Sequence, residues 1–409
     1  MKCRHCQAQL QHVFIDLGFA PRSNDYLSPE DLHSSEKYFP LKIFICDQCW
    51  LAQTEDYSSA GELFRKDYAY FSSTSAGWLA HAKTYCDMIR QRLGLSSKSF
   101  VIELASNDGY LLKNFVAAGI PCLGIEPTES TAKAAEALGI PVLRAFFEQQ
   151  LAARLAQEDK KADLIIGNNV YAHVPDINDF TLGIATCLKP GGTVTLEFPH
   201  LLSLMEFSQF DTVYHEHYSY LSLYAVQKVF GQADLRVFDV EKLKTHGGSL
   251  RVYGCLASDT RPVSKAVSLL LQEEEKQGLR QLATYKDFQA RADQVKDDFL
   301  TFLLAQKRQG RKVAAYGAAA KGNTLLNYAG IKPDLLPYVC DAAPAKQGKF
   351  MPGSHIPILT PAEIQRRKPD VIVILPWNIR DEVVKQLEGA KQWGARFAVA
   401  VPRLEVFEL

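Results

Sequence analysis

The 409-residue chain has no surplus of charge: 46 lysines and arginines face 46 aspartates and glutamates. Without a basic excess there is no electrostatic footprint for a phosphate backbone, so nucleic acid is not expected as a partner. Long apolar runs are also missing. None reaches the roughly 20 residues that a spanning helix needs, and the N-terminus lacks the charged-then-apolar layout of a secretory leader, so no membrane partner is expected. Cysteines total nine, an odd number. Five of them (Cys86, Cys122, Cys187, Cys255, Cys340) stand singly among apolar residues. That is the usage of buried free thiols, and it predicts a reducing, cytoplasmic setting. What remains is ordinary globular material, 47% hydrophobic and 22% charged, enough for two or three cores.

The other four cysteines form two C-x-x-C pairs, Cys3/Cys6 and Cys46/Cys49, separated by 39 residues. Two such knuckles predict one tetrahedral zinc held by four thiolates. Four protein ligands leave no open position for water, so the metal is expected to be structural. A redox pair or unrelated buried thiols are the alternatives, but one C-x-x-C would suffice for redox work and no thioredoxin-like pattern surrounds either. The module, residues 1–74, has a loop-rich interior with Pro21, Pro29 and Pro40. A unit this small needs the metal as a staple. Its exit, Asp67 to Thr74, is dense in aromatics and hydroxyls and reads either as a packed linker or as an active-site edge.

The second part, residues 75–242, opens with strand, turn and helix. Phe100–Leu104 is an apolar run, Ala105–Gly109 are small and turn residues, and a helical period starts at Tyr110, Leu111 and Leu112. A second strand ends at Glu126, 23 residues after Glu103. A carboxylate at that point accepts two hydrogen bonds from a ribose diol. Further strands are expected at Pro141–Arg144, at Ala162–Val170 and after the Leu188-Lys-Pro-Gly-Gly turn. This is an open α/β sheet with a nucleoside pocket at its strand C-termini. The first turn lacks the glycines of G-x-G-x-x-G. Glu103-x-Ala105-x-Asn107-x-Gly109 resembles instead the first motif of S-adenosylmethionine-dependent methyltransferases, and Leu-Lys-Pro-Gly-Gly before the fifth strand strengthens the resemblance. It implies that these residues, with Glu126 and Asn168, bind the cofactor.

The third part, residues 243–409, begins with His246-Gly-Gly-Ser-Leu-Arg251. The glycines would let backbone approach a sugar and Arg251 face a phosphate; a hairpin turn with a surface arginine is an equal reading. Two helices with solvated faces follow over about 262–309. Lys312 to Leu326 is again strand, small-residue turn and helix, with Lys321 and Asn323 placed in the turn, where a helix N-terminus and a lysine suit a diphosphate. Asp370 to Asn378 reads as another strand ending in a polar, aromatic turn. A second nucleotide site or a merely packed Rossmann-like domain would each explain this half.

Tyr214-His215-Glu216-His217 is the segment expected to do chemistry. Two histidines around a glutamate, flanked by tyrosines, are costly to bury without use. A metal site would need further ligands that are not apparent, and a solvated loop is the bland alternative. General acid–base work suits histidine, which titrates near neutrality.

Taken in order, the two C-x-x-C pairs, Glu-Leu-Ala-Ser-Asn-Asp-Gly, Tyr-His-Glu-His, His-Gly-Gly-Ser-Leu-Arg and Tyr-Gly-Ala-Ala-Ala-Lys-Gly-Asn resemble the sugar C-methyltransferases that build branched deoxysugars on nucleotide diphosphate carriers. The similarity spans essentially the whole chain. It implies an α/β protein with a small zinc-binding N-terminal module, a central Rossmann-like methyltransferase domain and a C-terminal Rossmann-like domain for the nucleotide of the substrate. It implies His217 as the base, with Tyr214, Glu216, His173 and Tyr68 in the same site. Tyr70 is close enough to share the last role and is assigned to substrate binding with Lys321, Asn323 and Arg251.

The chemistry can also be argued directly. Methylating carbon requires a carbanion equivalent, so a sugar substrate must carry a ketone next to the reacting carbon. A base removes that proton and a donor stabilises the enolate oxygen. The expected reaction is C-methylation of a nucleotide-linked 4-keto-deoxysugar. An O- or N-methyltransferase of the same core, or a zinc-ribbon scaffold that only senses nucleotides, are the alternatives.

Overall fold

A computed structural model describes residues 1–57, 60–63 and 71–408. The strands run β1 (His12–Ala20), β2 (Phe39–Ile45) and β3 (Ala52–Thr54), then β4 (Val101–Leu104), β5 (Cys122–Ile125), β6 (Val142–Leu143), β7 (Ala162–Asn168) and β8 (Leu188–Pro199). After these come β9 (Ser219–Tyr220), β10 (Leu235–Leu243), β11 (Ser249–Leu256), β12 (Val313–Tyr316), β13 (Val339–Cys340), β14 (Ile358–Leu359), β15 (Val371–Ile374), β16 (Arg396–Val399) and β17 (Glu405–Phe407). They build three sheets, ordered β1-β2-β3-β9, β10-β11-β8-β7-β4-β5-β6 and β14-β13-β12-β15-β16-β17. Among the described residues no helix is long and apolar enough to cross a membrane.

The central sheet is parallel from β6 to β8, and its strands β4 and β7 are mostly apolar and, but for the half-buried Asp163, buried along their length, as expected of helix-covered parallel strands. Its far edge is the antiparallel hairpin β10–β11. Because β11 lies between β10 and β8, the 242/243 boundary falls at the end of β10, between the two strands of that hairpin, and β11 of the third part completes the central sheet. Sequence periodicity cannot see this, since an antiparallel strand returning to a parallel sheet reads like the start of a new unit.

The helix expected from Tyr110 begins at Lys113 and ends at Ala117. Tyr110, Leu111 and Leu112 lie in a buried turn instead. Ala105, Asn107 and Gly109 all have positive φ, and this left-handed course delays the helix. At Gly109 a Cβ would meet Ile140 Cδ1 at 2.4 Å, so the glycine lets this turn pack closely against Ile140. The two polar helices of the third part are Lys265–Lys276 and Phe288–Arg308, as expected.

The cysteine module is less loop-rich than its prolines suggest. It carries the nine-residue β1 and seven-residue β2, and its sheet is completed by β9 from the central part through the pairs Ala52↔Tyr220 and Gln53↔Ser219. Among the described residues it has no core of its own. Phe14, Ile15, Leu17 and Leu41 pack into one cluster with Phe288, Leu325 and Val339 of the C-terminal half. Cys3, Leu10, Cys46 and Leu51 pack with Tyr171, Phe198 and Leu221 of the central half. The module is therefore a wedge between both larger units.

Candidate active site

The four sulfurs of Cys3, Cys6, Cys46 and Cys49 all lie within 4.8 Å of one another, with Cys3–Cys49 and Cys6–Cys46 at 3.5 Å. Thiolates around tetrahedral zinc sit about 3.8 Å apart, given Zn–S bonds near 2.3 Å. The set fits a structural zinc. Gln53 Nε2 donates to Cys3 Sγ at 3.1 Å, which favours the thiolate.

The first-motif turn has the features of a ligand cradle. Glu103 Oε2, Ser106 Oγ, Asp108 Oδ1 and both amide atoms of Asn168 are buried without a hydrogen-bond partner. Natural proteins seldom leave such groups orphaned. Burial, then the nearby Glu126 and Asp108 carboxylates, hold the Glu103 carboxyl well above the ordinary range. An amine and hydroxyls would satisfy this set, and S-adenosylmethionine carries both. Glu126 accepts from the Asn107 N–H at 2.9 Å, the Thr128 N–H at 3.0 Å and the Thr128 hydroxyl. Of its roughly four lone-pair sites one on Oε2 stays open to a ribose hydroxyl. The exit of the cysteine module covers this turn: Ser72 N donates to Asn107 Oδ1 at 2.9 Å and Ser73 N to Asp108 Oδ2 at 3.0 Å. Ser72 and Ser73 thus form a wall of the site. Tyr68 and Tyr70 lie outside the described residues.

Five residues beyond Asn168 stands His173, at the end of a short 3-10 turn. Its ring meets that of His217 edge-on, centroids 4.6 Å apart, and the Tyr214 ring lies 4.0 Å from His217 on another side. His217 Nδ1 is 2.9 Å from the Thr212 carbonyl. A carbonyl only accepts, so Nδ1 carries the proton and Nε2 is the basic nitrogen. Burial, and next the neighbouring His173, push His217 well below its ordinary pKa, so the ring is neutral at physiological pH. His173 is lowered to about 4, also by burial. Glu216 receives Asn24 Nδ2 on both oxygens, at 2.7 and 2.9 Å. His215 turns away to the Pro40 carbonyl of β2, 3.1 Å off, and serves packing of the module.

Lys321 and Asn323 are in the helix Ala320–Tyr328, not in the turn before it. Lys321 Nζ donates to Asn378 Oδ1 at 2.8 Å and lies 4.7 Å from the centre of the Trp377 ring. Trp377 Nε1 in turn donates to Asp211 Oδ2 at 2.7 Å, so Lys321 borders the segment that leads to His217. Asn323 is fully buried, bonded to Asn327 and to the Ser23 carbonyl. It joins the module to the C-terminal half and is not available to substrate, contrary to expectation. Arg251 is likewise corrected. It lies inside β11, donates to Glu197 at 2.9 Å and Glu241 at 3.2 Å, and covers the Tyr85 ring. A buried arginine spent on two carboxylates faces no phosphate.

Sequence reasoning missed Asn24, Glu197, His81 and Trp78. Glu197 is fully buried and accepts from His81, Thr245 and Arg251. Trp78 stacks on His81 at 4.9 Å and meets His246 edge-on at 5.2 Å, and His246 Nε2 lies 3.1 Å from Asn169 Nδ2. The three-residue spacing of Trp78 and His81 on one helix was the available signal. Nothing around Asn24 marks it.

Three family matches cover the chain. Residues 3–64 match a "Putative zinc binding domain", residues 78–240 a "Methyltransferase domain" and residues 244–402 a "C-methyltransferase C-terminal domain". The chain is 32% identical to the C-methyltransferase NovU of Streptomyces niveus over 405 residues, 99% of this chain and 96% of that one. Among solved structures, a methyltransferase of Clostridium acetobutylicum ATCC 824 (11% identity, TM-score 0.35, 44% of this chain and 92% of that one) shows partial likeness. So does the magnesium protoporphyrin IX methyltransferase of Synechocystis PCC 6803 (14%, 0.33, 43% and 83%). Likenesses this low carry no argument. The 32% identity along nearly the full length of both chains does: the chain belongs to the S-adenosylmethionine-dependent C-methyltransferases that carry an N-terminal zinc-binding module.

Proposed function

We propose that this enzyme methylates a nucleotide-diphosphate-linked 4-keto-deoxysugar, in the cytoplasm, at the carbon α to the ketone. The observation that carries the reading is the buried imidazole of His217, its Nδ1 proton committed to the Thr212 carbonyl at 2.9 Å so that Nε2 is the basic nitrogen. His217 Nε2 takes the proton from the α-carbon, and the electron pair of that C–H bond becomes the enolate. Burial makes the imidazole a weaker base. The enolate oxygen that develops beside the new imidazolium offsets this, since opposite charges attract strongly in a dry site. Tyr214 and His173, both in ring contact with His217, are the donors to that oxygen, with Tyr68 as a third. Glu216, fixed by Asn24, takes a sugar hydroxyl. S-adenosylmethionine, when bound at Glu103, Ala105, Asn107, Glu126 and Asn168, supplies the electrophilic methyl group. Lys321, beside the Trp377–Asp211 contact that leads to His217, is a cation of the C-terminal half and meets the diphosphate of the carrier.

Solvent deuterium tests this directly. With a catalytically inert cofactor analogue present, the enzyme should exchange the α-proton of a nucleotide-linked 4-keto sugar. With S-adenosylmethionine itself, the product should gain 14 mass units. Methyl transfer without any exchange, or product labelled on oxygen or nitrogen, would overturn the reading.

A further inference from the structure

The two residues enclosed by the first cysteine pair, Arg4 and His5, reach away from the sulfurs and into the catalytic segments. Arg4 Nη1 donates to the Pro175 carbonyl at 2.7 Å, and Nη2 donates to the Thr54 carbonyl at 2.8 Å and to Asp56 Oδ1 at 2.9 Å. Its guanidinium also lies 5.3 Å from the centre of the Tyr218 ring. Pro175 is two residues from His173, and Tyr218 adjoins His217. One guanidinium therefore touches both histidine segments. His5 adds a second clasp on the first of them: its Nδ1 is 2.8 Å from Asn178 Oδ1, and Asn178 Nδ2 donates to the His5 carbonyl at 2.9 Å.

The strand that leaves the second cysteine pair closes the loop. Gln53 binds Cys3 Sγ with Nε2 and the Arg4 N–H with Oε1, at 3.1 and 2.8 Å. The next residue, Thr54, donates its N–H to the Tyr218 carbonyl at 3.1 Å and its hydroxyl to the His217 carbonyl at 3.2 Å. Sulfur cluster, Gln53, Thr54 and His217 form one continuous chain of contacts, with Arg4 bridging its two ends.

We propose that Arg4 is a positioning residue, which sets the spacing of the His173 and His217 rings, and that the metal cluster acts on proton transfer by holding Arg4 and Thr54 in register. The planar fork of arginine is needed, because a lysine cannot donate in two fixed directions and lie flat on a ring. The inference rests on His217 being the base, but part of its test does not.

The test uses the full-length, zinc-loaded enzyme with Arg4→Lys and, separately, Thr54→Val. Three quantities are measured: zinc per chain, ring resonances of the histidines, and kcat and KM. Arg4→Lys should keep its zinc and its KM values and lose between about 10- and 100-fold in kcat. Resonances of His173 and His217 should move, while those of the exposed His33 and His355 stay. Thr54→Val removes only the hydroxyl contact and leaves the guanidinium in place. It should move the His217 ring alone and lower kcat less, and it carries the test if Arg4→Lys does not fold. Unmoved rings with zinc retained would overturn the proposal. So would loss of zinc in Arg4→Lys together with an unmoved His217 ring in Thr54→Val. If the wild-type enzyme turns over no keto sugar, the functional reading fails, while the ring resonances still decide this one.

Discussion

The central and C-terminal halves repeat one local pattern and use it differently. In each, a short buried strand runs into a turn of small residues and a helix, and the next strand ends in a carboxylate: β4 with Glu126, β12 with Asp341. Around the central turn, buried polar atoms of Glu103, Ser106, Asp108 and Asn168 lack partners. Around the C-terminal turn the protein supplies the partners. Ala318 N donates to Asp341 Oδ2 at 2.7 Å, and the Ala318 carbonyl accepts from Tyr26 OH at 2.6 Å and Lys346 Nζ at 2.9 Å. Tyr26 belongs to the cysteine module, which thus closes the second turn while its exit merely walls the first. A strand–turn–acid pattern is a scaffold for a ligand only where the fold leaves its donors and acceptors unspent. The C-terminal contact we assign to the substrate is accordingly not the turn but Lys321, which Asn378 and Trp377 hold in place.

The sharpest way to break this contrast is at the base on the central side. His217→Asn keeps a donor toward Thr212 but removes the basic nitrogen, and kcat should fall roughly 10²–10⁴-fold with cofactor affinity unchanged. Near-normal turnover would remove the central site as the place of chemistry.

A paired substitution separates the halves more finely. Asn323→Ala takes the side-chain donor from the Ser23 carbonyl, while Asn327 Nδ2 keeps the Asn323 and Pro352 carbonyls; it should cost about 1–3 kcal/mol of stability, read as a lower Tm with cofactor affinity intact. Asn168→Ala should do the reverse, weakening S-adenosylmethionine binding about tenfold with little change in Tm. Calorimetry on both variants checks the crossing, and parallel losses in the two would erase the distinction.

Acid should strike the central side first. His173 and His246 are both lowered to about 4, chiefly by burial, and His217 lies well below its ordinary value. Above about pH 6.5 these rings are neutral whether folded or not, so they leave stability unchanged. As pH falls from there toward 4 the unfolded chain takes up protons that the native rings refuse, and stability drops. Tm measured across that window should decline, and less steeply in His246→Asn.

The mildest probe is Tyr26→Phe. It removes one donor from the Ala318 carbonyl while Lys346 remains, so a loss of about 0.5–1.5 kcal/mol is expected. A gain of nucleotide affinity in this variant, read by calorimetry, would mean that the closed turn is a blocked site.

Much of this was legible in the residues. The two C-x-x-C pairs predicted the sulfur cluster, because thiolate spacing around a metal is a local matter of a few bonds. The strands β4, β5, β7 and β8, and the place of Glu126 directly after β5, followed from apolar runs and turn residues. His217, His173 and Tyr214 were expected together and meet in space. Lys321 and Asn323 were placed in the turn and stand in the helix just after it, where Lys321 meets Asn378 and Trp377 and Asn323 is fully buried. Arg251 was misread because its partners, Glu197 and Glu241, come from other strands of the sheet.

The sequence by itself determined the kinds of chemistry this protein contains: a four-thiolate metal site, a cofactor turn ending in acids, and a histidine–tyrosine segment fit for proton transfer. Each depends on residues close together in the chain or on short motifs with fixed spacing. Only the tertiary structure decided which of these groups are spent and which remain available. That depends on partners hundreds of residues away: Tyr26 on Ala318, Asn24 on Glu216 and Arg4 on Pro175. A hydrogen bond is a matter of distance in space, and no pattern along the chain records it.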